Sequence, residues 1–104
     1  MANKQRAEVS MKLDKVRKLK FTTNALAELE DALGHSLSKL DTVDVGIKTI
    51  IKMFWASLLH ESPELTIKEA GELMDYSTFT EISEKVREAL ELSLGSGEDK
   101  QEKN

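Results

Sequence analysis

Val43-Asp44-Val45-Gly46-Ile47-Lys48-Thr49-Ile50-Ile51-Lys52-Met53-Phe54-Trp55-Ala56-Ser57-Leu58-Leu59-His60 is the stretch on which the fold turns. Val43, Ile47, Ile50, Ile51, Phe54 and Leu58 recur three or four residues apart, which is the period of a helix and not the alternation of a strand. Set about 100° apart around an axis, those six fall on one broad arc, with Trp55 at its edge and Met53 and Leu59 outside it. A helix over about 44–60 therefore has more apolar surface than one buried face needs. It is the core helix, and the rest of the chain is expected to pack around it.

Downstream, Ser62-Pro63 ends that helix, because proline disfavours helical geometry in the residue before it. Thr66-Ile67-Lys68-Glu69 is a capping box: the threonine oxygen and the glutamate each satisfy one unpaired backbone amide, while Leu65 and Ala70 are spaced as a hydrophobic staple. The spacing predicts a third helix over about 67–75. A second box, Thr78-Phe79-Thr80-Glu81, opens a fourth over about 79–94, with Phe79, Ile82, Val86, Ala89 and Leu90 on its inner stripe and Gly95 as its stop. Residues 96–104 hold no apolar side chain and predict a disordered tail.

Upstream, Leu26, Leu29 and Leu33 share a stripe, Thr22, Thr23 or Asn24 supplies a cap, and Gly34 supplies a stop, predicting a first helix over about 23–33. Before it the period changes to two. Val9, Met11 and Leu13 alternate with polar residues, and so do Leu19 and Phe21, predicting a hairpin over about 8–21. A two-residue loop at Asp14-Lys15 would set Met11 opposite Lys18. A three-residue loop at Asp14-Lys15-Val16 pairs Met11 with Leu19 and Val9 with Phe21 on one face, and is the expected arrangement. It leaves Lys12 opposite Lys18 on the outer face. The fold class is mainly α: an N-terminal β-hairpin followed by about four helices in one domain, residues 1–95, a size that buries a modest core without staples.

Composition narrows the function. There is no cysteine, so disulfides and thiolate metal sites are excluded, and no apolar run approaches the roughly 20 residues that span a bilayer. The reading is of a soluble, unexported protein without membrane partners. Net charge is −4 but unevenly placed. Seven bases against two acids leave the first twenty residues at +5, and eight bases against seventeen acids leave the rest at −9.

Enzyme chemistry needs polar groups that converge. The chain has two histidines, and its carboxylates are spread along helix faces, so no pair of nucleophile and base emerges and neither an enzyme nor a cofactor is expected. His60, with Glu61 after it, reads as a cation at the negative end of a helix. His35 lies beyond a helix stop. Metal-loop spacing and a phosphate-cradling glycine loop are absent, and Glu69, Glu72 and Asp75 read as a solvated row.

Two surfaces remain as candidate binding sites. The overfull core helix leaves Met53, Trp55 and Leu59 as an apolar patch for a protein partner. The basic hairpin, through Lys12, Lys18 and Lys20, offers charge to nucleic acid or to an acidic protein, including the acidic half of another copy. Against nucleic acid, the whole chain is acidic, and no aromatic residue except inward-facing Phe21 is interleaved with those bases.

Two stretches carry a family resemblance: Phe21-Thr22-Thr23-Asn24-Ala25-Leu26-Ala27-Glu28-Leu29-Glu30-Asp31-Ala32-Leu33-Gly34, and the run from Phe54-Trp55-Ala56-Ser57-Leu58-Leu59-His60 through Ser62-Pro63 and Thr66 to Ala70-Gly71-Glu72-Leu73. Over roughly residues 8–92 this order resembles the tail assembly chaperones of long-tailed phages, prophages and gene-transfer agents. In that family a short asparagine-led helix precedes a helix ending in aromatic, alanine, leucines and histidine, then a proline, then a threonine-capped helix.

The resemblance implies a helical binding protein of the bacterial host cytoplasm, absent from the mature virion. It holds the long tape measure protein while the tail tube polymerises, acts in many copies or as a homo-oligomer, and has no catalytic residues. It also implies a longer, frameshifted form that reaches tail tube subunits. Glu102-Lys103-Asn104 is compatible with the codons GAA-AAA-AAC, which contain a slippery heptamer.

Overall fold

The computed structural model describes residues 2–3, 8–38 and 46–94. Strands β1 (Ala2–Asn3), β2 (Glu8–Lys12) and β3 (Val16–Leu19) form an antiparallel sheet in that order. The two-residue β1, unforeseen from the sequence, pairs Ala2 with Val9 and Asn3 with Glu8.

Between β2 and β3 the chain reverses over Leu13-Asp14-Lys15, one residue earlier than expected. Met11 faces Arg17 and Val9 faces Leu19, in place of Leu19 and Phe21, and Lys12 and Lys18 lie opposite Val16 and Ser10 rather than each other. The cause is a clasp that hydrophobic alternation does not express. Arg17 donates from Nε and Nη2 to the two carboxylate oxygens of Asp14, each at 2.9 Å, and the Lys15 amide donates to the same carboxylate at 2.9 Å. Because the pairing moved by two positions, every side chain keeps its face. Val9, Met11, Leu19 and Phe21 are all buried.

Helix α1 (Thr23–Leu33) has the bounds that its ends dictate. Thr22 Oγ1 accepts from the Ala25 amide at 3.0 Å, and Gly34 closes the helix at φ 80°, a left-handed geometry that glycine adopts without strain. Ala25 and Leu29 are its buried residues, with Leu26 and Leu33 packed at the core's edge.

Helix α2 (Ile47–Leu58) is the hub, touching α1, α3, α4 and β3. The expected start near residue 44, and Val43 with it, lie outside the described residues. Helix α3 (Ile67–Glu72) begins with the reciprocal Thr66–Glu69 capping box and ends earlier than the expected residue 75, where the bonding tightens to three-residue steps, Leu73 amide to Ala70 carbonyl and Met74 amide to Gly71 carbonyl. The reciprocal pair that precedes α4 (Phe79–Leu94) joins Asp75 and Thr78, not Thr78 and Glu81: the Asp75 amide donates to Thr78 Oγ1 at 3.1 Å and the Thr78 amide to Asp75 Oδ1 at 3.0 Å.

Helix α4 lays Ile82, Val86, Ala89 and Leu90 across the inner face of β2 and β3, and α2 fills the remaining side. One core results, joining Val9, Leu19 and Phe21 of the sheet segment to Leu29, Ile50, Met53, Phe54 and Leu58. The tail 96–104 lies outside the described residues.

Candidate functional site

The functional surface is decided by how α2 sits in its socket. Ile50, Met53, Phe54, Ala56, Ser57 and Leu58 are buried, so the buried arc is rotated by roughly 60° from the one that apolar spacing predicts. The rotation follows from small residues: Ala56 and Ser57 have no exposure and let other segments approach closely, and the amide of Lys20 reaches the Ser57 carbonyl at 3.0 Å.

Met53 is thereby taken into the core at 3% exposure and is no part of an exposed patch. Ile47, expected inside, is instead 59% exposed, and Ile51 is half-buried. The apolar surface left over is Ile47, Ile51, Trp55 and Leu59, a ridge with a four-residue step, the kind that helix packing inserts into a groove.

Each end of this ridge opens into a concavity. At the C-terminal end Trp55 and Leu59, with His60 and Pro63, form one wall of an open groove of about 400 Å³, and Thr22, Asn24, Ala25 and Glu28 form the other. Trp55 and Leu59 are thus brought together as candidate binding residues. The indole is fixed in place, since Nε1 donates to the Leu65 carbonyl at 2.8 Å, so the ring is a rigid wall. The groove combines an aromatic face with a carboxylate and an amide on α1, an arrangement suited to an amphipathic helix.

At the other end Ile47, Ile51, Gly71, Met74, Asp75, Tyr76 and Phe79 line a smaller cleft of about 180 Å³. Sequence reasoning missed it, since Ile47 read as core and Tyr76 as a linker residue. Tyr76 is 93% exposed. The cleft is almost wholly apolar apart from Asp75, whose carboxyl is held below its ordinary range first by the Ser77 hydroxyl and then by the Thr78 amide, so it stays anionic.

Lys12, exposed, and Lys18, half-buried, share the outer face of the sheet, and half-buried Lys20 lies just past the end of β3. The backbone of Lys18 is occupied: His60 Nε2 lies 2.6 Å from its carbonyl, and its amide donates to Glu61 Oε1 at 3.4 Å. A carbonyl only accepts, so Nε2 carries the proton and His60 holds the sheet to α2 rather than a ligand. His35 similarly engages the Ser36 carbonyl. The Arg17 guanidinium beside Asp14 pulls that carboxyl down to about 2.

Among the described residues no three histidine, aspartate or glutamate side chains gather to hold a metal ion, and no helix is long and apolar enough to cross a membrane. No family model, no curated protein and no solved structure matches this chain.

Proposed function

We propose that this chain is a tail assembly chaperone of a long-tailed bacteriophage or prophage, a non-catalytic protein that binds the tape measure protein during tail morphogenesis. The observation that carries the reading is the groove between the start of α1 and the end of α2, where half-buried Trp55 and Leu59 form a wall facing Asn24 and Glu28. These elements are also the two that carry the family resemblance. A tape measure protein is long and helical, and its apolar stripes need cover until the tube encloses them. Many weak contacts along one such chain hold by avidity and still release as the tube advances. The protein would then act in the host cytoplasm and leave before the virion is complete, and a frameshifted form would extend the contact to tail tube subunits.

The test is co-purification of the full chain with the long helical protein encoded downstream of its gene. Wild type should retain it, and Leu59→Glu, at a half-buried groove position, should weaken retention by about tenfold with an unchanged circular dichroism spectrum. A downstream gene unrelated to tails, or retention untouched by Leu59→Glu, sinks the reading. A second reading, nucleic-acid binding by the basic hairpin through Lys12, Lys18 and Lys20, is favoured by Lys12 and Lys18 sharing one face of the sheet, with Lys20 just past its end. It predicts binding that falls steeply with salt and is lost with those lysines.

A further inference from the structure

Among the described residues, Asp75 is the one charged side chain that lines the cleft at the N-terminal end of α2, and its carboxylate is held in one orientation. Oδ1 accepts from the Ser77 hydroxyl at 2.5 Å and from the Thr78 amide at 3.0 Å, with the Thr78 hydroxyl 3.4 Å away, whereas Oδ2 accepts from no described residue. The group is therefore fixed and anionic, with one oxygen to spare. In α2, α3 and the first turn of α4 the bases Lys48, Lys52 and Lys68 balance the acids Glu69, Glu72 and Glu81. None of those six lines the cleft, and none pairs with Asp75. Apart from Gly71 the rest of the lining is apolar or aromatic: Ile47, Ile51 and Met74, with the rings of Tyr76 and Phe79. An oriented carboxylate beside an apolar hollow is complementary to a ligand with an apolar stem and a cationic tip.

We propose that the cleft takes a lysine side chain of a partner protein: its methylenes lie on Ile47, Ile51 and Met74, and its ammonium bonds to Asp75 Oδ2 beside Tyr76 and Phe79. At about 180 Å³ the cleft is smaller than the pockets that enclose whole small molecules, and suits one long side chain. Arginine fits less well. Its guanidinium prefers to engage both oxygens of a carboxylate as a fork, and Oδ1 is already taken, whereas an ammonium is a point charge that needs only one. The two aromatic rings add attraction for a cation that a neutral side chain forgoes. A purely apolar side chain would fill the hollow but screen Oδ2 from water without pairing it. This contact is separate from the Trp55–Leu59 groove and stands whatever occupies that groove.

Titration of the full chain, methyl-labelled at isoleucine and methionine, with Nα-acetyl-lysine methylamide tests it by NMR. At constant ionic strength and up to about 100 mM probe, a range in which a single side-chain contact is populated, the Ile51 and Met74 methyl signals should move along a saturating curve. The norleucine derivative keeps the stem without the cation and should bind about fivefold more weakly, and the arginine derivative about threefold. Asp75→Asn keeps an acceptor for Ser77 and Thr78 but removes the charge, and should lower lysine binding about fivefold, to the norleucine level, with the rest of the spectrum unchanged. Tyr76→Ala, at an exposed position, should lower it about twofold. Methyl signals that stay still or drift linearly, a norleucine derivative that binds as well as lysine, an arginine derivative that binds more tightly, or Asp75→Asn binding lysine like the wild type overturns the proposal.

Discussion

At its C-terminal end α2 is bound by polar hooks: Ser57 accepts from Lys20, His60 reaches Lys18, Glu61 accepts from Lys18, and Trp55 anchors the loop that follows. Its N-terminal end has no such hook among the described residues. Gly46 caps it with no side-chain hydrogen bond, and Ile47 stands largely in solvent beside an apolar cleft. Both ends belong to one ridge with a four-residue step, so apolar content does not distinguish them. What does is whether neighbouring backbone groups were left needing partners. A strand beside the C-terminal end demanded hydrogen bonds; the α3–α4 connection beside the other end satisfies its own through Asp75 and Thr78.

The largest effect is expected where both ends depend on one residue. Phe54 has no exposure, and Phe54→Ala should cost about 3–5 kcal/mol in chemical denaturation, collapsing the contrast altogether. Next, His60→Ala removes the hook to Lys18 and should cost about 1–2 kcal/mol, with faster amide exchange confined to β3 and the end of α2. If exchange accelerates equally near Ile47, the two ends are not independent.

Gly71→Ala acts on the cleft side and should gain about 0.5–1 kcal/mol, read as a raised melting temperature. The added methyl would lie 3.6 Å from Ile51, an ordinary contact. Gly46→Asp should gain a few tenths of a kcal/mol, because the extended geometry there suits an N-cap that glycine fills only partly. Smallest is a pH effect on the hooked side. Asp14 has its folded pKa lowered, so its contribution is complete above about 4 and fades as pH falls toward about 2. Titration by NMR should place its midpoint near 2 in wild type and nearer 4 in Arg17→Met.

Much of the architecture was legible because its signals are local. Thr22 and Gly34 bound α1 by their own chemistry, Thr66 and Glu69 start α3, and alternation placed Val9, Met11, Leu19 and Phe21 inward. Hairpin register was not legible, because it follows from a clasp between Asp14 and Arg17 that leaves no trace in hydrophobicity. Two residues of β1 are too few to carry a period. Thr78–Glu81 and Asp75–Thr78 are both plausible reciprocal caps in sequence, and packing chose the second. For the candidate site, Trp55 and Leu59 could be singled out as surplus to one helix face. Met53 and Ile47 exchanged places because the burial of a helix flank depends on what lies beside it, and small Ala56 and Ser57 drew the neighbours to an unexpected side.

The hooks at the end of α2 have a further consequence. Strand β3 is an outer strand, and an outer strand left with open amides and carbonyls invites another chain to add on as a further strand. His60 and Glu61 occupy both backbone groups of Lys18, and the Ser57 carbonyl accepts from the amide of Lys20, so at Lys18 this margin has no free group to offer a further strand. A strand arriving from another molecule could pair at Lys18 only after both of those bonds were broken.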